Sequence, residues 1–297
     1  MTARPSPASP TTAKPPFAYF GGKTRLAPTI AAHLPAHDHY IEPFAGSLAV
    51  LLTKAPARAE TVNDLDHRLV TFWRVLRDHP AQLARACALT PHARADYDDT
   101  AAEEPAHNDV EQARRVWVAL TQGRSGGLNR TGWRRFTTDR GPVLSMPAYL
   151  AAYRDRLPAC AARLAHVSLE CRPALDVLRD YGTNTGALLY LDPPYLATTR
   201  NATAYAHDMG TEDEHRALAA AAHRCRAAVV LSGYDSPLYR HLYDGWHRLT
   251  LTSTSHRGTG GNPSRTEVLW SNVPLHPHRS RPPRRSSTGN RRRGDQA

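Results

Sequence analysis

Long apolar runs are missing from this 297-residue chain. Nothing in it approaches the roughly 20 apolar residues of a bilayer-spanning helix. The opening MTARPSPASPTTAKPP has no apolar segment of the secretory kind. No membrane partner is expected, and the chain reads as cytoplasmic. Cysteine is scarce: Cys87, Cys160, Cys171 and Cys225 are the only four, and none stands in a C-x-x-C pair. Neither a zinc site nor a dithiol motif is signalled, and free thiols suit a reducing compartment. The sixteen histidines show no metal-ligand spacing, so no metal is expected. G-x-G-x-x-G is absent, which speaks against an ordinary NAD site. The full G-x-x-x-x-G-K-[ST] pattern is also absent, which removes the phosphate-loop reading of Gly21-Gly22-Lys23.

What is present begins with positive charge, unevenly spread. The formal net charge is +11, yet residues 274–297 alone hold seven arginines and one aspartate, and Arg4 and Lys14 lie in the first sixteen residues. The middle of the chain is close to balanced. Residues 1–15 and 274–297 have almost no large apolar side chains and are expected to be disordered tails, the second one basic. Between them, short apolar strands at His39–Pro43, Glu60–Asn63, Val167–Cys171, Ala187–Leu191 and Ala227–Ser232 alternate with helical periodicities at Thr24–Leu34, Leu48–Leu52, Leu69–Arg77, Ala174–Tyr181 and Thr211–Arg226. Trp246–Thr254 and Thr266–Asn272 alternate apolar and polar residues, as an edge hairpin would. The pattern predicts an α/β, Rossmann-like sheet built from residues 16–77 and 166–273. Residues 78–165 read as a helical insertion, with helices through Val116–Leu120 and Pro147–Leu164.

Asp192-Pro193-Pro194-Tyr195 directly follows the buried run ALLYL, at a strand end where open α/β sheets place ligands. An ionised aspartate only accepts hydrogen bonds. Two prolines fix the backbone and remove competing donors, leaving the Pro193 carbonyl as a second acceptor. Tyr195 offers a flat ring. Together these suit an exocyclic amine whose lone pair must be localised. In duplex DNA such a base has to be extruded first. A plain proline turn capped by an aspartate is the other reading of the tetrapeptide taken alone. Upstream, Glu42-Pro43-Phe44-Ala45-Gly46-Ser47 has the strand–turn–helix layout, and Gly46 permits close approach to a ligand. Asp64, at the next strand end, suits ribose hydroxyls. Tyr19-Phe20-Gly21-Gly22-Lys23 adds a cation on a tight turn.

In their order, these motifs resemble the Dam-like class of DNA N6-adenine methyltransferases. Asn63-Asp64-Leu65-Asp66, Ser232-Gly233-Tyr234 and Thr266-Glu267-Val268-Leu269-Trp270-Ser271-Asn272 add to the likeness, which covers roughly residues 16–273. The resemblance implies S-adenosylmethionine as methyl donor, contacted by Tyr19, Lys23, Glu42, Gly46 and Asp64, with Gly22 and Phe44 in the same motifs. It places Asp192 and Tyr195, with Pro193 and Pro194 between them, at the flipped adenine. It also implies that the insertion recognises the DNA target, and a cognate restriction endonuclease is a candidate counterpart. One departure is visible: where the class often carries an acid near the donor's adenine, this chain has Pro173, with Asp176 three residues on.

Residues 113–140 contain seven arginines and one acid among tryptophans and glycines. Arg124, Asn129, Arg130, Arg134 and Arg135 are the candidate contacts to double-stranded DNA. N4-cytosine in DNA, adenine in RNA and an inactive DNA-binding remnant are the competing readings.

Overall fold

A computed structural model of the chain describes residues 12–101, 106–129, 132–135, 145–195, 209–251 and 266–276. Its strands are β1 (His39–Glu42), β2 (Ala59–Asn63), β3 (Val167–Glu170), β4 (Ala187–Leu191), β5 (Ala228–Tyr234), β6 (His247–Leu251) and β7 (Glu267–Ser271). The helices are α1 (Ala27–His33), α2 (Ala49–Thr53), α3 (His67–Asp78), α4 (Pro80–Leu89), α5 (Arg94–Asp98), α6 (Asp109–Gln122), α7 (Met146–Arg154), α8 (Leu157–Leu164), α9 (Ala174–Tyr181), α10 (Glu212–His223) and α11 (Pro237–Leu242).

The strands form one sheet in the order β3-β2-β1-β4-β5-β7-β6. The first five are parallel, and β7 runs antiparallel to both β5 and β6. This is the expected Rossmann-like α/β sheet, with the expected hairpin at the edge; Thr252–Thr254 of that expectation lie outside the described residues. Helices cover both faces, so the central strands are apolar throughout rather than alternating. All five residues of β4 are buried. The pleat sends Tyr40, Leu188, Tyr190 and Val230 into one core, and Ile41, Leu189, Leu191, Val229 and Leu231 into the other. From β1 the chain winds outward to β3, then returns to the centre at β4. Between the carboxyl ends of β1 and β4 the connections leave in opposite directions and open a crevice.

Local chemistry fixes the helix starts. The Asp66 carboxylate accepts from Arg68 N–H and begins α3, whose Leu69, Phe72, Trp73, Val75 and Leu76 are buried. Thr211 and Glu214 make a reciprocal capping box at α10. The helix expected over Pro147–Leu164 is instead two, α7 and α8. Pro158 lies in the first turn of α8 and has no N–H for an upstream carbonyl, so the helix restarts there.

Between α3 and β3 the described residues form helices and one isolated bridge, Gly123 to Trp133. These helices share a core with the sheet. Trp117 and Leu120 of α6 lie in one cluster with Phe72 and Trp73 of α3 and with Phe17. The chain is packed from Ala13, earlier than the expected boundary after residue 15. Ala13 N–H donates to Leu52 O, and the carbonyls of Lys14, Pro15 and Pro16 accept from Cys160, Arg156 and Trp117. A proline-rich stretch can act this way because its prolines have no N–H to be satisfied, while every carbonyl remains an acceptor. No helix among the described residues is long and apolar enough to cross a membrane.

Candidate active site

The crevice at the switch point is a cavity of about 270 Å³. Most of its walls are strand ends or the turns after them, joined by the turn before α1 and by residues of α2 and α10. Tyr19 to Lys23 form one side, Glu42 to Ser47 follow β1, Asn63 to Asp66 follow β2, Arg172 to Leu175 follow β3, and Asp192 and Pro194 follow β4. Tyr19, Gly22, Lys23, Glu42, Phe44, Gly46 and Asp64, the seven residues expected around the donor, all line it. Pro193 and Tyr195 do not.

The turn after β1 is held in an unusual backbone conformation. Gly46 has φ +47°, and Leu48, a residue for which this is strained, has φ +54°. The wholly buried Leu48 side chain anchors the turn in the core. A Cβ on Gly46 would lie 3.1 Å from the Tyr19 ring, so only glycine lets ring and turn close on each other. Asp64 accepts from Gly46 N–H and from Asp66 N–H, both at 2.9 Å, and Trp73 Nε1 donates to Gly46 O. Asn63, 1% exposed, ties three walls together. Its amide donates to Pro43 O and Arg172 O, and its Oδ1 accepts from Arg172 N–H.

Glu42 is buried and accepts from the Tyr40 hydroxyl at 2.9 Å. Burial pushes its carboxyl up to about 8; the Tyr40 bond opposes this and nearby Asp192 reinforces it. Among the described residues no lysine or arginine pairs with it. A buried carboxylic acid on a cavity wall without a cation suits a ligand that carries one, as the amino-acid end of S-adenosylmethionine does.

At the floor, Lys23 Nζ donates to Asp192 Oδ1 at 2.7 Å and to the Tyr195 hydroxyl at 2.5 Å. The Tyr195 hydroxyl donates to the Glu267 carboxylate, and Ser232 Oγ donates to Asp192 Oδ1 at 3.0 Å. Burial lowers the Lys23 pKa, but the Asp192 and Glu267 charges outweigh it and hold the ammonium above its usual range. Burial holds the Glu267 carboxyl above its usual range, although Lys23 pulls it down. The Tyr195 ring stacks on Tyr234, with centroids 4.0 Å apart and planes 14° off parallel. Glu267, Ser232 and Tyr234 were visible in the sequence only as parts of a C-terminal pattern, without a role. Among the described residues no group of three or more histidines, cysteines or carboxylates is placed to hold a metal.

Asp176 does not take the place of an acid at Pro173. It lies on α9, pairs with Arg179 at 2.7 Å and faces a different groove, whereas Arg172, Pro173, Ala174 and Leu175 line the cavity. The arginine-bearing segment contributes no residue to the cavity lining, although its Gly126 O accepts from the N–H of Phe20, which does line it. Arg124 and Arg135 are exposed, and Asn129 is half-buried. The Arg134 guanidinium is spent on Gly123 O and Arg124 O of the segment and on the Tyr149 hydroxyl of α7. Arg130 lies outside the described residues.

The family described as D12 class N6 adenine-specific DNA methyltransferase matches residues 19–256. The chain is similar to the Type II methyltransferase M1.LlaDCHI of Lactococcus lactis subsp. cremoris, 25% identical over 273 residues that cover 85% of this chain and 93% of that protein. It is similar to the DNA adenine methylase of Serratia marcescens, 28% identical over 75% of this chain and 84% of that one. Among solved structures it resembles an rRNA methyltransferase, aviRa from Streptomyces viridochromogenes, at 16% identity and a TM-score of 0.35, over 89% of each chain.

Proposed function

The chain belongs to the D12 class of N6 adenine-specific DNA methyltransferases, and from that premise we propose that the switch-point cavity holds the methyl donor and that Asp192 holds the adenine amino group. The observation that carries this is the placement of Asp192 on the cavity floor, one oxygen fixed by Lys23 and Ser232.

S-adenosylmethionine, when bound, supplies an electrophilic methyl group on a sulfonium centre. Glu42 faces its ammonium. Asp64 faces its ribose, because its carboxylate retains acceptor capacity beyond the two backbone N–H groups it already holds. Phe44 and Tyr19 give apolar contact, and Gly22 and Gly46 keep the backbone close. On the acceptor side, the amino nitrogen's lone pair is delocalised into the base. Asp192 and the Pro193 carbonyl accept its two N–H bonds and direct the lone pair towards the donor. They also stabilise the positive charge that grows on nitrogen. Lys23 and Ser232 fix the Asp192 rotamer in advance, so no reorganisation is left for the reaction itself. Pro194 closes the floor, and Tyr195 backs the extruded base.

The target is adenine in double-stranded DNA, which must leave the helix to reach this floor. Of the arginine-rich stretch, α6 is packed in the core, and the segment 123–135 with its continuation through residue 140 contacts the duplex. Arg124, Arg135 and Asn129, with Arg130, are its groove or phosphate contacts, and Arg134 shapes the segment that presents them. The similarity to a Type II methyltransferase favours a restriction–modification setting, with a cognate endonuclease as counterpart.

The test is incubation of duplex DNA with the protein and methyl-labelled donor, followed by nucleoside analysis. Label is expected in N6-methyladenine. Asp192→Ala should lower turnover by at least about a hundredfold while leaving donor affinity within several-fold. Label in N4-methylcytosine alone, or near wild-type turnover by the variant, would overturn the assignment.

A further inference from the structure

Beneath the cavity floor a second buried carboxylate meets the Lys23–Asp192 pair, and the chemistry above gives it no part. Glu267 is the first residue of β7 and is 5% exposed. Its Oε1 lies 3.5 Å from Lys23 Nζ, and its two oxygens lie 3.1 and 3.3 Å from the Tyr195 hydroxyl. One ammonium thus sits between two carboxylates, and all three are largely shielded from water.

The charge balance decides what this arrangement does. Lys23 paired with Asp192 alone would make a neutral couple. A carboxylate neutralised in that way is a weaker acceptor for an amine that gains positive charge as it is methylated. Glu267 provides the second negative charge. With it the cluster keeps one net negative charge, and Asp192, with its side chain 19% exposed against 4% for Lys23 and 7% for Glu267, is the member most open to a ligand. The low dielectric of a buried site enlarges the effect relative to water.

We propose that Glu267 is a positioning residue, the counter-ion of Lys23, which leaves the Asp192 charge available to the amino group and orients the Tyr195 hydroxyl. It acts through Lys23 and does not touch the base. The proposal rests on the reading that Asp192 holds the acceptor amine.

Glu267→Gln tests it, because glutamine keeps the size and an acceptor for Tyr195 and removes only the charge. Single-turnover rate, KM for duplex DNA, donor affinity by calorimetry and melting temperature are measured on the same full-length samples. The rate should fall by about tenfold or more, with KM and donor affinity within about twofold. A purely structural role would instead lower the melting temperature and leave the rate unchanged, and that result overturns the proposal. The same substitution is then made in a Lys23→Met background. If Glu267 works by compensating Lys23, it should change the rate there by less than about twofold. A full tenfold loss in that background overturns the proposal. This second comparison also decides the matter if Glu267→Gln alone does not fold. The methylated base formed by the wild type tests the underlying reading separately. N4-methylcytosine as its product would remove the adenine assignment, while the variant rates still report on Glu267.

Discussion

Among single side chains, Glu42 shows how burial turns a common residue into a specialised one. Its ordinary value of 4.5 is pushed up to about 8, so between those pH values the folded chain holds a proton that the unfolded chain has released. Where the folded state binds more protons, stability falls as pH rises. The contribution is fully present below the unfolded value and is lost as pH climbs through the folded one. Glu42→Gln should therefore flatten the stability–pH curve across that window, measured by urea unfolding at a series of pH values. A ligand ammonium acts in the opposite sense and draws the proton off. Donor binding near neutral pH should release a proton, seen as a calorimetric enthalpy that varies with the ionisation enthalpy of the buffer. Equal slopes for the wild type and Glu42→Gln would remove Glu42 from the donor site. The position of Glu42 was legible in the sequence as an acid at the end of an apolar strand. Its protonation was not, because it depends on neighbours such as Tyr40 and Asp192 that only the fold assembles.

The elements were legible wherever local periodicity dominates. Ala187–Leu191 and Ala174–Tyr181 appear with the bounds their patterns suggest. The α7–α8 break was hidden because apolar spacing runs across it and only Pro158 marks it. Pairings between distant elements were beyond reach for a different reason: nothing in the spacing of residues says that Glu60 on β2 will meet Arg163 on α8. In the fold, Glu60 accepts from Arg163 through both oxygens at 2.5 and 2.8 Å and from Lys54 at 2.6 Å. Burial raises the Glu60 pKa, but the two cations outweigh this and hold it below its usual range. The triad clamps the last helix before β3 to the second strand, away from the strand ends that form the cavity. Glu60→Ala leaves two buried cations facing each other and should destabilise the chain by about 3–5 kcal/mol. Chemical denaturation measures this. A loss below about 1 kcal/mol would mean that the triad behaves like a solvated surface pair.

Across the whole molecule, the segment proposed to meet DNA and the turn proposed to meet the donor are joined by backbone. Phe20 N–H donates to Gly126 O at 2.9 Å. Gly126 has φ +67°, and a Cβ there would sit 3.0 Å from Ala18 O. The segment is stiffened on its other side by the Gly123–Trp133 bridge, by the Arg134 guanidinium and by His92 stacked on Trp133 at 4.3 Å. Residues 18–20 lead directly into Lys23, which holds Asp192 and Tyr195. The Phe20–Gly126 bond is thus a direct backbone contact between the arginine-bearing segment and the turn whose Lys23 side chain reaches the floor of the cavity. Gly126→Val should break this link. A left-handed backbone costs an L-residue about 1–2 kcal/mol, and the added side chain has no room against Ala18. Hydrogen exchange at the Phe20 amide should accelerate, and donor affinity should weaken. Turnover on duplex DNA should fall by at least about tenfold, as small misplacements of reacting groups do. Unchanged exchange at Phe20 would show that the turn is held without Gly126. Faster exchange with undiminished turnover would show that the two sites work independently although they touch.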